Sequence, residues 1–338
     1  MRRRSLIKSS ALFGLGALGT SIFSSCTNPN TPISKNSKSL QPLRVGVLNW
    51  LGCEGMLMAD KKNLFEAQGI KVEQKYFASP TEINDLFLAG KLDLAAMVAT
   101  DPIVLTLKMP DIKTFYVTDY SGDVDGILAS KKITKPEDLR GKKIAREDVP
   151  YEIIFLGEFL KLGGMSEKDV QIVSLTAEEG AKAFAANKVD AVVTYDPYLG
   201  KVLKQRADAH LIFSAKASNI IPNAIVAQGQ VIEARRNDIL AYLRGIDKGL
   251  KFSAANRTEA DGMMAKWLAV SMAEIADQRS KIYILDIVKN KVDAFNLRSS
   301  LNVESSVRSG GQILLENGKV QKLAEAATLI DSSLIESL

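Results

Sequence analysis

Asn187-Lys188-Val189-Asp190-Ala191-Val192-Val193-Thr194-Tyr195-Asp196-Pro197 (187–197) reads as a helix end running into a short apolar strand that stops at a proline turn. The same succession occurs once before, where Gly90-Lys91-Leu92-Asp93-Leu94 leads through a buried strand to Thr100-Asp101-Pro102. Working outward from both echoes gives one plan, strand, helix, strand, helix, strand. The first copy has strands at 43–48, 71–77 and 92–98, a helix over 56–67 stopped by Gly69, and a second helix opened by Ser79-Pro80-Thr81-Glu82. The second has strands at 143–145, 170–175 and 189–194, with helices over 151–162 and 177–186. Val45 and Asp93 are 48 positions apart, Ile144 and Asp190 46. Repeated units of this kind predict an α/β protein of two lobes, each a parallel-dominated sheet with helices on both faces, and a ligand cleft between them. The competing arrangement is one large sheet built from both units.

A chain of 338 residues with 46% apolar content exceeds what one core usually serves, which agrees with two lobes. Between the units lies Asp119-Tyr120-Ser121-Gly122-Asp123-Val124-Asp125-Gly126, with three carboxylates and two glycines. It is expected to border the cleft, with the chain passing between lobes near 126–129 and returning near 220–227. The expected boundaries are 43–126 for the first part of lobe I, 127–222 for lobe II and 223–338 for the return to lobe I. The return reads as helical, with Ile232, Ile239, Leu240, Leu243, Ile246 and Leu250 on one apolar face that packs back on the first lobe.

Residues 1–26 have a basic start, an apolar middle and small residues before Cys26, the layout of an export signal. Their apolar run, 11–23, is too short to span a bilayer. Arg3-Arg4-Ser5-Leu6-Ile7-Lys8 resembles a twin-arginine signal, and Phe23-Ser24-Ser25-Cys26 resembles a lipobox with Phe23 in place of the usual leucine. These readings imply lipidation of Cys26, the alternatives being a plain cleaved signal or an uncleaved anchor. Residues 27–42, rich in Asn, Pro, Ser and Lys, read as a flexible tether. The four cations of the leader account for all but one of the five net positive charges, so charge gives no support to nucleic-acid binding.

In open parallel sheets, ligands sit beyond the carboxyl ends of the strands, where loops and helix N-termini converge. That rule, applied here, selects Asn49, Trp50, Ser79, Thr81, Thr100, Asp101, Tyr151, Glu152, Tyr195 and Asp196, and the crossing stretch adds Tyr120, Asp123 and Asp125. Aromatic walls, hydroxyls and carboxylates together suit a small ligand that carries an amino group for the acids and an oxyanion or carbonyl for the backbone N–H groups. Several of these residues also have a local role to fill: Ser79 as a helix cap, Asp101 and Asp196 as turn formers before proline, Glu152 at a helix N-terminus. Catalysis is poorly supplied. His210 is the sole histidine, and the chain has neither metal-ligand spacing of Cys and His, nor a phosphate loop, nor a nucleophile elbow, so neither a metal nor a cofactor is expected.

Over about 43–256 the chain resembles the substrate-binding proteins of bacterial ABC importers for nitrate, taurine and alkanesulfonates, a group similar to the thiamine-pyrimidine synthesis proteins. The resemblance rests on the stretch 61–69, on 90–93, on Asp119-Tyr120-Ser121 with Asp125-Gly126-Ile127, on 138–145 and on 189–197. It implies a type II periplasmic-binding-protein-like fold that closes on one small molecule and hands it to a membrane permease with its ATPase, at the outer face of the cytoplasmic membrane or in the periplasm. Val149-Pro150-Tyr151-Glu152 stands where members often have a Gly, Ser or Thr turn, and its carboxylate is awkward for nitrate or a bare sulfonate. A zwitterion or nitrogen-rich ligand, such as taurine or a pyrimidine, is therefore expected. The pyrimidine-synthase relatives look to need a histidine and a cysteine-rich motif that this chain lacks. The alternatives are an enzyme on the same fold, acting through Asp123, Asp125 or Glu152, and a surface lipoprotein that binds a protein partner.

Overall fold

The structure, a computed structural model, describes residues 41–217 and 221–338. The expected leader, the expected lipidation at Cys26 and the expected tether up to residue 40 lie outside the described residues.

The first repeat unit folds as expected: β1 (Leu43–Leu48), α1 (Glu54–Lys61), β2 (Val72–Phe77), α2 (Pro80–Leu88) and β3 (Leu94–Val98). A short α3 (Pro102–Leu105) follows, then two strands that periodicity did not reveal, β4 (Ile112–Tyr120) and β5 (Asp125–Ser130). The second unit is β6 (Lys143–Arg146), α4 (Pro150–Leu162), β7 (Gln171–Ser174), α5 (Ala177–Ala185) and β8 (Ala191–Tyr195). After α6 (Tyr198–Gln205) come β9 (Ala209–Ser214) and β10 (Pro222–Gln228). The remainder is helical apart from the two-residue β11 (Tyr283–Ile284): α7 (Gly229–Ala234), α8 (Arg236–Ala255), α9 (Arg257–Leu268), α10 (Met272–Lys281), α11 (Ile287–Lys289), α12 (Val303–Glu316) and α13 (Ser333–Glu336).

The sequence echo has a structural cause. Gly90 and Asn187, just past the ends of α2 and α5, are both left-handed, with φ of 66° and 57°. Asp93 then accepts a hydrogen bond from the Arg44 backbone N–H at 2.9 Å, and Asp190 accepts one from the Lys143 N–H at 2.9 Å. Each aspartate thus ties the entry of one strand, β3 or β8, to the start of its parallel neighbour, β1 or β6.

The strands form two sheets, β11-β4-β10-β3-β1-β2 and β7-β6-β8-β5-β9. Both are mixed. β1 is parallel to β2 and β3, and β6 to β7 and β8, while β10 runs antiparallel to β3 and β4, and β5 antiparallel to β8 and β9. The second sheet therefore repeats five of the first sheet's six strands in order, with β5 standing where β10 stands and no counterpart of β11 among the described residues. The antiparallel members are the connections themselves: β4 ends in the first sheet and β5 begins in the second, and β9 and β10 make the return.

Two expectations are corrected. Residues 126–129 and 222–227 lie within β5 and β10, so the first crossing is the turn at 121–124, and the second falls between Ser214 and Pro222, partly outside the described residues. Asp125–Ser130 is buried on both faces and so lacks the alternation that marks a half-buried strand. Nor does the whole helical return pack on the first lobe. α8 lies along α1 there, but α12 lies on α4 of the second lobe. Gly157 of α4 and Gly310 of α12 permit that approach, since a Cβ on Gly310 would stand 2.9 Å from Ile154 Cδ1. One apolar cluster consequently runs from Val98, Ile103 and Val117 through Ile154 and Phe155 to Val307 and Leu314. Cys53 is a buried free thiol in the first lobe.

Candidate functional site

The carboxyl ends of the parallel strands of both sheets meet at the cleft. From the first sheet, the loop after β1 brings Trp50, and Ser79 caps α2 by accepting from the Thr81 N–H at 3.2 Å, with Pro80 as the first helical residue. From the second sheet, the loop after β6 brings Glu147 and the start of α4, and β8 ends at Tyr195. The lobes are joined across this line. Glu147 Oε1 accepts from Ser79 Oγ at 2.9 Å and from the Thr81 hydroxyl. Asp101 Oδ1 accepts from the Tyr151 N–H at 3.2 Å, the Tyr195 hydroxyl donates to the Ala78 carbonyl at 3.5 Å, and Trp50 meets Tyr195 edge to face with centroids 6.0 Å apart. The lobes are closed on one another.

Between them is a cavity of about 20 Å3 walled by Trp50, Tyr151, Tyr195, Pro80 and Met97, with Asn223 and Asp125 as its polar members. This is room for little more than a water molecule, so any larger ligand must enter with the lobes apart. Trp50 is fixed by its indole N–H, which donates to both oxygens of Asp119 at 3.1 Å. Asp119 also accepts from Asn223 Nδ2 at 2.9 Å and from Thr118 Oγ1 at 2.9 Å. Gly52 packs so tightly against this carboxylate that a Cβ there would overlap Asp119 Oδ1.

Burial dominates the electrostatics. It raises Asp119 to about 6, Asp101 to about 7 and Asp125 to about 7, the last opposed by a hydrogen bond from Ser121 and reinforced by Asp119 and Asp196. Burial also holds Glu152 well above the usual carboxylate range, against the bond it accepts from the Glu147 N–H at 2.6 Å. Asp101 Oδ2, Glu147 Oε2 and Thr100 Oγ1 are buried with no hydrogen-bond partner.

The residues expected at the site divide into groups. Trp50, Tyr151, Tyr195 and Asp125 line the cavity. Ser79, Thr81 and Asp101 bridge the lobes beside it, and Thr100 is buried next to Asp101. Glu152 is turned onto backbone within its own lobe and accepts from the Tyr151 hydroxyl at 3.1 Å. Four residues lie elsewhere. Asn49 faces a separate hollow beside Tyr76 and Trp267. Tyr120 is 3% exposed in the core, its hydroxyl on the Leu301 carbonyl. Asp123 accepts from Ser214 Oγ at 2.8 Å and pairs with Lys216 at the surface. Asp196 accepts the Gly200 N–H at 2.8 Å at the start of α6. Sequence reasoning missed Asp119, Glu147 and Asn223 as site residues. Asp119 stood in the stretch expected to border the cleft and Glu147 a few residues before the expected Tyr151 and Glu152, whereas Asn223 sits on a strand with no periodic signal. Among the described residues, no group of His, Cys, Asp and Glu could hold a metal ion, and no helix is long and apolar enough to cross a membrane.

Two lobes that exchange strands and close on a cavity at their strand ends define a two-lobed, cleft-type binding protein. The family model described as NMT1/THI5 like matches residues 52–260, and the chain belongs to that family. The chain is 23% identical over 310 residues to a putative aliphatic sulfonates-binding protein of Bacillus subtilis, covering 90% of both. Its fold matches the periplasmic aliphatic sulphonate binding protein SsuA from Escherichia coli with a TM-score of 0.71 at 21% identity, over 86% of this chain and 92% of that one. A desulfurization enzyme, DSZB, matches with a TM-score of 0.61 at 13% identity, over 88% of this chain and 98% of its own. At such identities the solved structures speak for the fold alone.

Proposed function

We propose that this chain is the substrate-binding component of an ABC importer, capturing one small polar solute between its lobes and delivering it to a permease and its ATPase. The observation that carries this is the cleft itself: Ser79 and Thr81 of one lobe reach Glu147 of the other beside an aromatic-walled cavity. A ligand held there touches both lobes, so its binding energy selects the closed state. Trp50, Tyr151, Tyr195 and Asp125 are the proposed contacts, with Ser79, Thr81 and Asp101 holding closure. The binding-protein relative of Bacillus subtilis supports the reading, as does the poor supply of catalytic groups. The protein works outside the cytoplasmic membrane, held by a lipid on Cys26 after a twin-arginine leader.

Thermal-shift screening against taurine, alkanesulfonates, nitrate, amines and pyrimidines tests the proposal. A true solute at a hundredfold excess over its Kd adds about 2.7 kcal/mol of stability and raises Tm accordingly, without being consumed. Turnover of the bound compound would move the assignment to an enzyme, and the absence of any shift would overturn it.

A further inference from the structure

We infer that the solute enters the cavity as a small organic cation, an alkylammonium or a protonated nitrogen heterocycle, with its charge on Asp125 between the rings of Trp50, Tyr151 and Tyr195. This rests on the substrate-binding reading above and specifies its ligand.

Three observations converge. First, among the described residues Asp125 is the only charged one that lines the cavity; it is 6% exposed, and no described Lys, Arg or His pairs with it. Its carboxylate neighbours, Asp119 and Asp196, leave the surroundings short of positive charge. A desolvated anion there would meet uncompensated like charge, whereas a cation supplies the missing counter-charge.

Second, the first donors of α2 and α4 at the cleft are already taken. Both of these helices begin with proline, Pro80 and Pro150, so neither offers an N–H at its first position. The next donor of α2, the Thr81 N–H, is given to Ser79 Oγ, and that of α4, the Tyr151 N–H, to Asp101 Oδ1. The Glu147 N–H goes to Glu152 Oε2. Helix N-termini attract anions through free N–H groups, and here the protein's own carboxylates have filled that role.

Third, the unpaired groups at the lobe junction include two carboxylate oxygens, Asp101 Oδ2 and Glu147 Oε2, on residues 0% and 4% exposed, beside the Thr100 hydroxyl. The aromatic walls add the negative faces of their rings, and a carboxylate within an aromatic enclosure is the arrangement that recognises ammonium groups. Trp50 is locked in place by Asp119, so its ring is set before the ligand arrives.

The experiment is a thermal-shift and calorimetric comparison on the purified full chain at pH 8, where Asp125 is ionised, using butylammonium, choline and N-methylpyridinium as cations against butanesulfonate and nitrate as anions. The expected result is a Tm increase with at least one cation and none with either anion. Asp125→Asn, which keeps the side-chain shape, should weaken that cation at least tenfold. If that variant fails to fold, Trp50→Leu serves instead, with an expected loss of severalfold. A shift with butanesulfonate or nitrate that exceeds every cation would overturn the cation inference and leave the importer reading standing. Cation binding unchanged in the variants would overturn the assignment to Asp125 and its aromatic walls. No shift with any probe would overturn the inference, and silence from the wider screen as well would take the importer reading with it.

Discussion

Asp101, Asp119 and Asp125 are buried carboxylates that folding leaves without cationic partners, and this ties the protein's stability to pH. Their ordinary value is 3.8, and burial raises them to about 7, about 6 and about 7. Between the two limits the native state holds protons that the unfolded chain has released, so stability is greatest near the lower limit and falls as pH rises towards 7. Each group contributes a slope of about 1.4 kcal/mol per pH unit within its window. The ligand-free protein should therefore melt at lower temperature at pH 7.5 than at pH 5. Asp101→Asn, which preserves an acceptor for the Tyr151 N–H, should flatten the dependence; an unchanged pH profile of Tm would refute the assignment. At this scale the sequence was partly legible. Trp50, Tyr151 and Tyr195 follow from the rule for strand ends, because those loops converge in any such sheet, and Asp125 from its place in the crossing stretch. Asn49 obeyed the same rule, and Tyr120 stood in the same stretch, yet both turned away, since the direction of a side chain depends on neighbours such as Leu301 and Trp267 that are remote in sequence.

Helices here make contact where they lack side chains. Gly55 of α1 faces Gly249 of α8, and a Cβ on Gly249 would overlap the Gly55 carbonyl oxygen. Gly249→Ala should push α8 away from α1 and cost roughly 1–3 kcal/mol, read as a lower midpoint in chemical denaturation with little change in its slope. A variant as stable as the parent would show that the helices can separate freely. The repeat was legible at this scale because Asp93 and Asp190 each bind the backbone of the neighbouring parallel strand, and that duty demands one residue type at one place. β4, β5, β9 and β10 were not legible. β4 is buried along nearly its whole length, so it carries no period to read, and β9 is half-buried throughout.

For the molecule as a whole, closure depends on Glu147, which takes two hydroxyl donors from the opposite lobe. Glu147→Ala removes both and should shift the ligand-free protein towards open forms. Small-angle scattering should then record a larger radius of gyration, and solute affinity should fall on the order of tenfold, given the net worth of hydrogen bonds to a charged group. A radius identical to that of the parent would assign closure to the α4–α12 contact instead. The exchange of strands between sheets also sets a timetable for synthesis. All five strands of the second sheet lie within 125–214, an unbroken stretch, whereas the first sheet receives β10 between β3 and β4 only after that stretch has been made. While the ribosome is still short of residue 222, β3 and β4 have open edges with nothing between them, and such edges are sites of mispairing. The lobe that leaves the ribosome first is the one completed last, with its partner lobe folding as an insertion in the meantime.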